Sequence, residues 1–363
     1  MLRFFRAKIW ILLLPGSLLL LAFQTHNKLV DDLWSDFLRL TKKTDAQAIQ
    51  AYFEKLKSRK PALPDADMGY AITLVQKWSE TAGLAPEEKA SIALMCGRFW
   101  PEKGEYQQFM PAFFYERAYE ISKQNKLYDL SSDALVEIIN LTNLTDKALP
   151  FVIDLEKVLD SPEIRSKLTN LDKKYHALAQ YYYRLNKHDL AILYNKKVLE
   201  FPESQFPVEL KLNRLNTIAL SYKELGQYDE AIRYYDEVIG KSIEVGNKDW
   251  EYIAKGNKGM VMLELGRLEE AEDLLEEDFH GSLLTGQHLS SCNAAIVLAK
   301  LRLKSNDLEN ARKYLEIADR ISDTLGVLQK TTLIWSDYFV LAGDWKQAYY
   351  FRKRAHEMED SVN

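Results

Sequence analysis

Residues 219–239 read ALSYKELGQYDEAIRYYDEVI, and this stretch decides the fold. Apolar and aromatic residues recur at helical spacing on either side of Gly226, so the stretch reads as two helices joined by a tight turn. Ala231 is one of four alanines forty residues apart, with Ala191, Ala271 and Ala311. A turn residue stands five positions before each of them: Asn186, Gly226, Gly266 and Asn306. Asparagine tolerates the left-handed backbone better than most residues and replaces glycine there. A fixed period of this size marks a stack of helical hairpins, in which every repeat packs on its neighbours.

The stretch GMVMLELGRLEEAEDLL (259–275) is a second copy, and ALAQYYYRLNKHDLAILY (177–194) and LAKLRLKSNDLENARKYL (298–315) are looser ones. Hairpins are expected over 173–200, 208–245, 248–280 and 288–324, with a shorter fifth over 329–358 that carries Gly343, Trp345, Ala348 and Ala355. The pattern resembles the tetratricopeptide repeat. That resemblance implies an all-α, right-handed superhelical solenoid of antiparallel hairpins. It implies that Ala219, Gly259 and Tyr222 pack helix A against its neighbour. Gly226, Gly266 and Tyr228 belong to the turn between helices, and Ala191, Ala231, Ala271, Ala311 and Ala348 let helix B approach. Tyr235 fills the wedge beside Ala231. The period of forty exceeds the usual length of about 34 residues, so longer helices or loops are expected.

Upstream, a helix pair is expected over 29–60, another pair over 67–83 and 86–97, a helical segment over 106–125, and a weaker pair over 129–143 and 146–159. Pro86-Glu87-Glu88 suits a first turn, and Pro111 predicts a kink or a boundary. The first 24 residues form a targeting segment: Arg3, Arg6 and Lys8 precede the apolar run IWILLLPGSLLLLAF (9–23), short for a span and right for a secretory core. Three regions follow: a signal peptide or N-terminal anchor (1–24), degenerate tetratricopeptide-like hairpins (25–165), and repeats of about forty residues (166–363). The chain is expected to be extracytoplasmic, either periplasmic, secreted or held by its N-terminal segment. Membrane contact is expected only through 1–24 or a segment beyond 363. Of 363 residues, 47% are hydrophobic and 20 are tyrosine, so a long core can be buried. The net charge of −5 gives no global attraction to nucleic acid. Cys96 and Cys292 read as independent buried side chains.

Tetratricopeptide stacks bind peptide segments on the face lined by their A helices. Counting back from the alanines places Lys173, His176, Gln180, Tyr183 and Arg184 there in the first clear repeat. Asn213, Asn216 and Lys223 follow in the second, Asn257 in the third, and Asn293 and Lys300 in the fourth. The strip is polar and mildly basic, with donors for backbone carbonyls or a carboxylate, and the alternative is a solvated face. The acidic run EEAEDLLEED (269–278) reads as a solvated B helix, or as a site for a basic partner or cation. His280, His288 and Cys292 supply at best half of a zinc site, so no metal is expected. The cluster Phe109, Phe113, Phe114, Tyr115 and Tyr119 reads as core. The Asn-Leu-Thr sequons at Asn140 and Asn143 matter only in a eukaryotic secretory pathway.

The nucleotide-binding, hydrolase and metalloprotease motifs are all missing, so neither catalysis nor a cofactor is expected. A leader followed by long hairpins resembles the extracytoplasmic sensor region of Bacteroidetes-type tetratricopeptide regulators. The reading is a protein- or peptide-binding scaffold, with a sensor role implied by that resemblance. A structural adaptor of an envelope complex and a small-ligand or enzymatic helical protein stand as the alternatives.

Overall fold

The computed structural model describes residues 35, 51–55, 58, 65–81, 83–100, 109–142, 146–202, 207–325 and 331–362. The expected targeting segment, most of the expected helix pair over 29–60 and Asn143 lie outside the described residues. All regular structure among the described residues is helical, and none of their helices is long and apolar enough to cross a membrane. The chain forms two compact units, residues 1–177 and 178–363.

Unit 2 is the forty-residue array. After helix α7 (Leu171–Arg184), within which the unit boundary falls, come α8 (His188–Leu199), α9 (Val208–Glu224), α10 (Tyr228–Glu244), α11 (Lys248–Glu264) and α12 (Leu268–Thr285). They continue as α13 (His288–Lys304), α14 (Leu308–Leu325), α15 (Thr332–Leu341) and α16 (Trp345–Val362). The second helices α8, α10, α12 and α14 begin forty residues apart, as do the first helices α9, α11 and α13. Three of the four long expected hairpins match closely, and α12 extends five residues beyond the expected end at 280.

One joint closes every hairpin. Asn186, Gly226, Gly266, Asn306 and Gly343 all have positive φ, between 55° and 76°. At each, the next amide reaches back to the last turn: Gln227 N–H to Tyr222 O (2.9 Å), Arg267 to Met262 (2.9 Å), Asp307 to Arg302 (2.8 Å). This satisfies carbonyls that a helix end otherwise leaves open. The left-handed turn reverses the chain within three residues, and small residues then let the helices close. Ala191, Ala231, Ala271 and Ala311 are wholly buried. A Cβ on Gly259 would stand 3.0 Å from Leu275 Cγ and 3.2 Å from the Ala271 carbonyl, so α11 and α12 meet almost backbone to backbone. Tyr222 stacks on Tyr234 (5.5 Å), and Tyr182 on Tyr194 forty residues earlier (5.7 Å). Ala219 and Tyr235 are fully buried in this core. Burying each large apolar side chain in it contributes roughly 1.5–3 kcal/mol.

Unit 1 contains α1 (Asp65–Thr81), α2 (Pro86–Arg98), α3 (Phe109–Gln124), α4 (Tyr128–Leu141), α5 (Leu149–Asp160) and the short α6 (Pro162–Arg165). Pro86 opens α2, and the Glu88 carboxylate accepts the Ala85 amide (2.8 Å). Pro111 sits in the first turn of α3, where its missing N–H is harmless. The expected pairing needs one correction. The tight hairpin joint is made by α3 with α4, through Lys126 at φ 55° and a Leu127 N–H bond to Ser122 O, rather than by 129–143 with 146–159. A lysine in the left-handed region gives no turn signal in sequence. Phe114 and Tyr115 are buried, which puts the aromatic cluster in the core. Cys96 and Cys292 are free and buried.

Candidate functional site

Helices α9, α11 and α13 are the first helices of three successive hairpins in unit 2, and each touches the next. Because the period is forty, residues forty apart fall on one rung of the face they share. One rung is Asn213, Ile253 and Asn293; another is Leu220, Met260 and Lys300. Six of the nine unit 2 residues expected on a binding face lie on these three helices and Gln180, Tyr183 and Arg184 lie on α7, but they differ in what they are free to do.

Asn257 donates its amide to Asn216 Oδ1 (3.0 Å), tying α11 to α9. Asn216 is buried, while Asn257 is half-buried. The second Asn257 N–H and its Oδ1 have no other partner among the described residues, so this carboxamide offers one donor and one acceptor side by side. A peptide group presents the complementary pair. Asn213 Oδ1 takes a guanidinium N–H of buried Arg214, whose charge also meets Asn195 Oδ1 (3.3 Å). Burial depresses the Arg214 pKa to about 10. Asn293 and Lys300 are exposed. Lys223 pairs with its neighbour Glu224 (3.0 Å). Tyr183 is half-buried, edge-on to His188 (5.9 Å), and burial raises its pKa. Gln180 is half-buried and Arg184 exposed.

Lys173 and His176 belong to unit 1. Lys173 lines a cleft of about 220 Å³ with Arg98, Asp133, Val136, Glu137 and Asn170. Much of its charge is already matched, since Arg98 Nε donates to Glu137 (2.6 Å). Next to it, Lys174 is fully buried and donates to Asp133 (2.6 Å), the Thr169 carbonyl (2.7 Å) and Asp129 (3.4 Å). Burial pushes the Asp129 carboxyl up, but the Thr169 hydroxyl and amide and the Lys174 ammonium hold it below its ordinary value.

Glu269, Glu270, Asp273 and Glu277 of the acidic run are exposed, as on a solvated helix, but several of its acids have partners. Glu272 and Glu276 both pair with Arg302 of the next hairpin. Glu277 takes the Lys255 ammonium (2.6 Å). Asp278 is buried, and accepts from Ser282 (2.5 Å) and from Ser290 of α13 (2.9 Å). Its other oxygen lies against α11 where Gly256 has no side chain; a Cβ there would stand 2.0 Å from Oδ2. Burial pushes the Asp278 pKa up to about 6, against the two hydroxyls that lower it. Sequence reasoning missed this residue among seven acids. The only available signal was Gly256, helix-interior and one residue before Asn257. No group of three His, Cys, Asp or Glu side chains placed to hold a metal ion occurs among the described residues.

Residues 212–277 match the tetratricopeptide repeat family model. No curated protein matches. Among solved structures, a signal-transduction ATPase of the STAND class with a tetratricopeptide repeat sensor, from Pyrococcus horikoshii, is similar at TM-score 0.54 and 16% identity. The match covers 93% of this chain and 53% of that one, so this chain spans about half of it. The apo quorum sensor NprR from B. thuringiensis is similar at TM-score 0.52 and 15% identity, over 91% of this chain and 97% of that one. NprR in complex with its cognate peptide NprX matches at TM-score 0.42 and 16% identity, covering 92% and 85%. At these identities the likeness concerns the fold: an all-α array of tetratricopeptide-like hairpins.

Proposed function

We propose that unit 2 is a peptide-binding scaffold that holds an extended polypeptide segment across α9, α11 and α13. The observation that carries this reading is the Asn216–Asn257 bridge, which pins the half-buried Asn257 carboxamide and leaves its second N–H and its Oδ1 without a partner among the described residues. A carboxamide fixed in this way loses little entropy on meeting a backbone amide. NprR, which shares the fold, is a quorum sensor, and this supports a sensing role over a purely structural one. The function proposed is binding without chemistry of its own.

The test is retention of peptides from a random library by the full chain, repeated with Asn257→Ala. Loss of two hydrogen bonds is worth about 1–3 kcal/mol, so retained peptides should weaken by about tenfold or more while circular dichroism stays unchanged. Equal retention by the variant would refute the assignment. The proposal includes export by residues 1–24, motivated by Arg3, Arg6 and Lys8 ahead of the apolar run. Cell fractionation of the full chain checks it, and recovery from the cytoplasm would count against it.

A further inference from the structure

The signature alanines set a register for the second helix of each hairpin. In α8, α10 and α12 the residue five after the alanine reaches the first helix of the next hairpin. Lys196 donates to Tyr222 of α9 (2.8 Å), Asp236 meets Lys258 of α11 (2.6 Å), and Glu276 meets Arg302 of α13 (3.4 Å). The residue directly after the alanine does the same in α8 and α12. Ile192 joins the core with Leu212 and Leu215 of α9, and Glu272 pairs with Arg302. In α16 the alanine is Ala348, and these two positions hold Tyr349 and Lys353. No described hairpin follows α16.

The outermost hairpin of a solenoid normally turns a polar face to water. Helix α16 instead turns out Trp345, 69% exposed, and Tyr349, 71% exposed, whereas Ile192 at the position of Tyr349 is 7% exposed. Trp345, Tyr349 and Lys353 follow one another at intervals of four, so they form one stripe along the helix. Lys353 is exposed too, and its ammonium lies 3.7 Å from Glu357, a surface pair worth little. Arg352, beside it, is held by Asp337 of α15 (3.4 Å).

This stripe is complementary to its own reverse. A two-fold axis through Tyr349 sets two copies of α16 antiparallel. Tyr349 then meets its own copy, and each Lys353 lies against Trp345 of the other chain. An isologous interface requires this property, because every contact between two different residues is made twice. A lysine ammonium over an indole face is a favourable pairing. The array already uses a cation and an aromatic ring at the matching position, where Lys196 Nζ stands 5.4 Å from the Tyr222 ring centre between α8 and α9. An unlike helix would need an aromatic and a cation in reverse order; a second copy has them by construction.

We infer that the exposed face of α16 is a self-association surface, on which two copies of this chain pair Tyr349 with Tyr349 and Trp345 with Lys353. Aromatic side chains bury about 150–250 Å² each, so the four cover roughly 600–1,000 Å². That is the low end of specific interfaces, and the expected dimer is weak.

Sedimentation of the full chain over a range of concentrations tests this, in one mild detergent that masks the apolar run 9–23. The wild type should dimerise. Tyr349→Glu sets two carboxylates on the axis and should weaken association by about tenfold or more, with circular dichroism unchanged. Trp345→Lys alone sets lysine against lysine and should act likewise. Trp345→Lys combined with Lys353→Trp restores the pairing in exchanged positions and should restore the dimer. Tyr349→Cys should link two chains by a disulfide on mild oxidation, because the native Cys96 and Cys292 are buried. Gln347→Cys, on the other side of α16, should not. A monomer at every concentration overturns the inference. So does a dimer that survives Tyr349→Glu, or one that the exchange fails to restore.

Discussion

Replacing Asp278 by asparagine removes the titration of a buried carboxylate while keeping an oxygen for Ser282 and Ser290 to donate to. The folded-state pKa of about 6 lies above the ordinary carboxyl value of 3.8. A raised carboxyl pKa means the folded protein holds the proton longer than the unfolded chain. The associated stability is therefore fully present below about pH 4 and is lost as pH rises through about 6. About two units at 1.36 kcal/mol each give roughly 3 kcal/mol across that window. Asparagine also replaces Oδ2, which accepts from Ser290 (3.1 Å), with an N–H donor, so that hydrogen bond must reverse or be lost, at a cost of up to about 1–3 kcal/mol. That cost does not vary with pH, so the informative quantity is the slope. Urea unfolding of both full chains, followed by far-UV circular dichroism at several pH values between about 4 and 7, isolates it. The wild type should lose roughly 3 kcal/mol more than Asp278→Asn over that range. Parallel curves would refute the reasoning and place the Asp278 charge in contact with solvent.

Three further substitutions probe the packing. Gly256→Ala forces a methyl against Asp278 Oδ2; urea unfolding should show a loss of about 1–3 kcal/mol, and Asp278→Ala in the same chain should recover part of it. Tyr235→Phe removes a buried hydroxyl that has no partner among the described residues, so thermal unfolding should rise, corresponding to about 1 kcal/mol; a fall would reveal a partner for that hydroxyl. Lys174→Met strands Asp133 and Asp129 at the floor of unit 1. Its cost is about 3 kcal/mol, at the low end for a broken buried pair because both aspartates are partly exposed, and Lys174→Arg should lose less in the same measurement.

The array was legible because its joints repeat in one-letter code. A left-handed turn needs Gly or Asn, and a close helix crossing needs Ala or Gly, so positions 186, 226, 266 and 306 and the four alanines announce both. Where the same joint is built on Lys126, the signal vanishes and the pairing in unit 1 was misread. Counting from the alanines places Asn213, Asn257, Asn293 and Lys300 on the first helices α9, α11 and α13, which is where they lie. What counting could not supply is which groups are already engaged. Asn216 and Asn257 are 41 apart, one off the period, and they meet because a side chain reaches along its helix as well as across. Asp278 shows the converse. One residue in a run of acids turns inward because its position on α12 faces α11 and α13, and composition averages that difference away.

The recurring joint has an evolutionary corollary. Gly246 and Gly286 share positive φ, and Asn247 and Gln287 share the same bond back to a serine carbonyl, Ser242 or Ser282. Residues 248–287 are therefore a cassette whose two ends are interchangeable. Slipped replication that duplicated this cassette would insert a hairpin whose backbone joints match at both ends. Its side chains would not match as well: the second copy's Asn257 would meet Gly256 of the first copy where Asn216 now stands, and the first copy's Asp278 would meet Trp250 in place of Ser290. The array can then lengthen in a single genetic step, while its contacts between hairpins have to be rebuilt residue by residue afterwards.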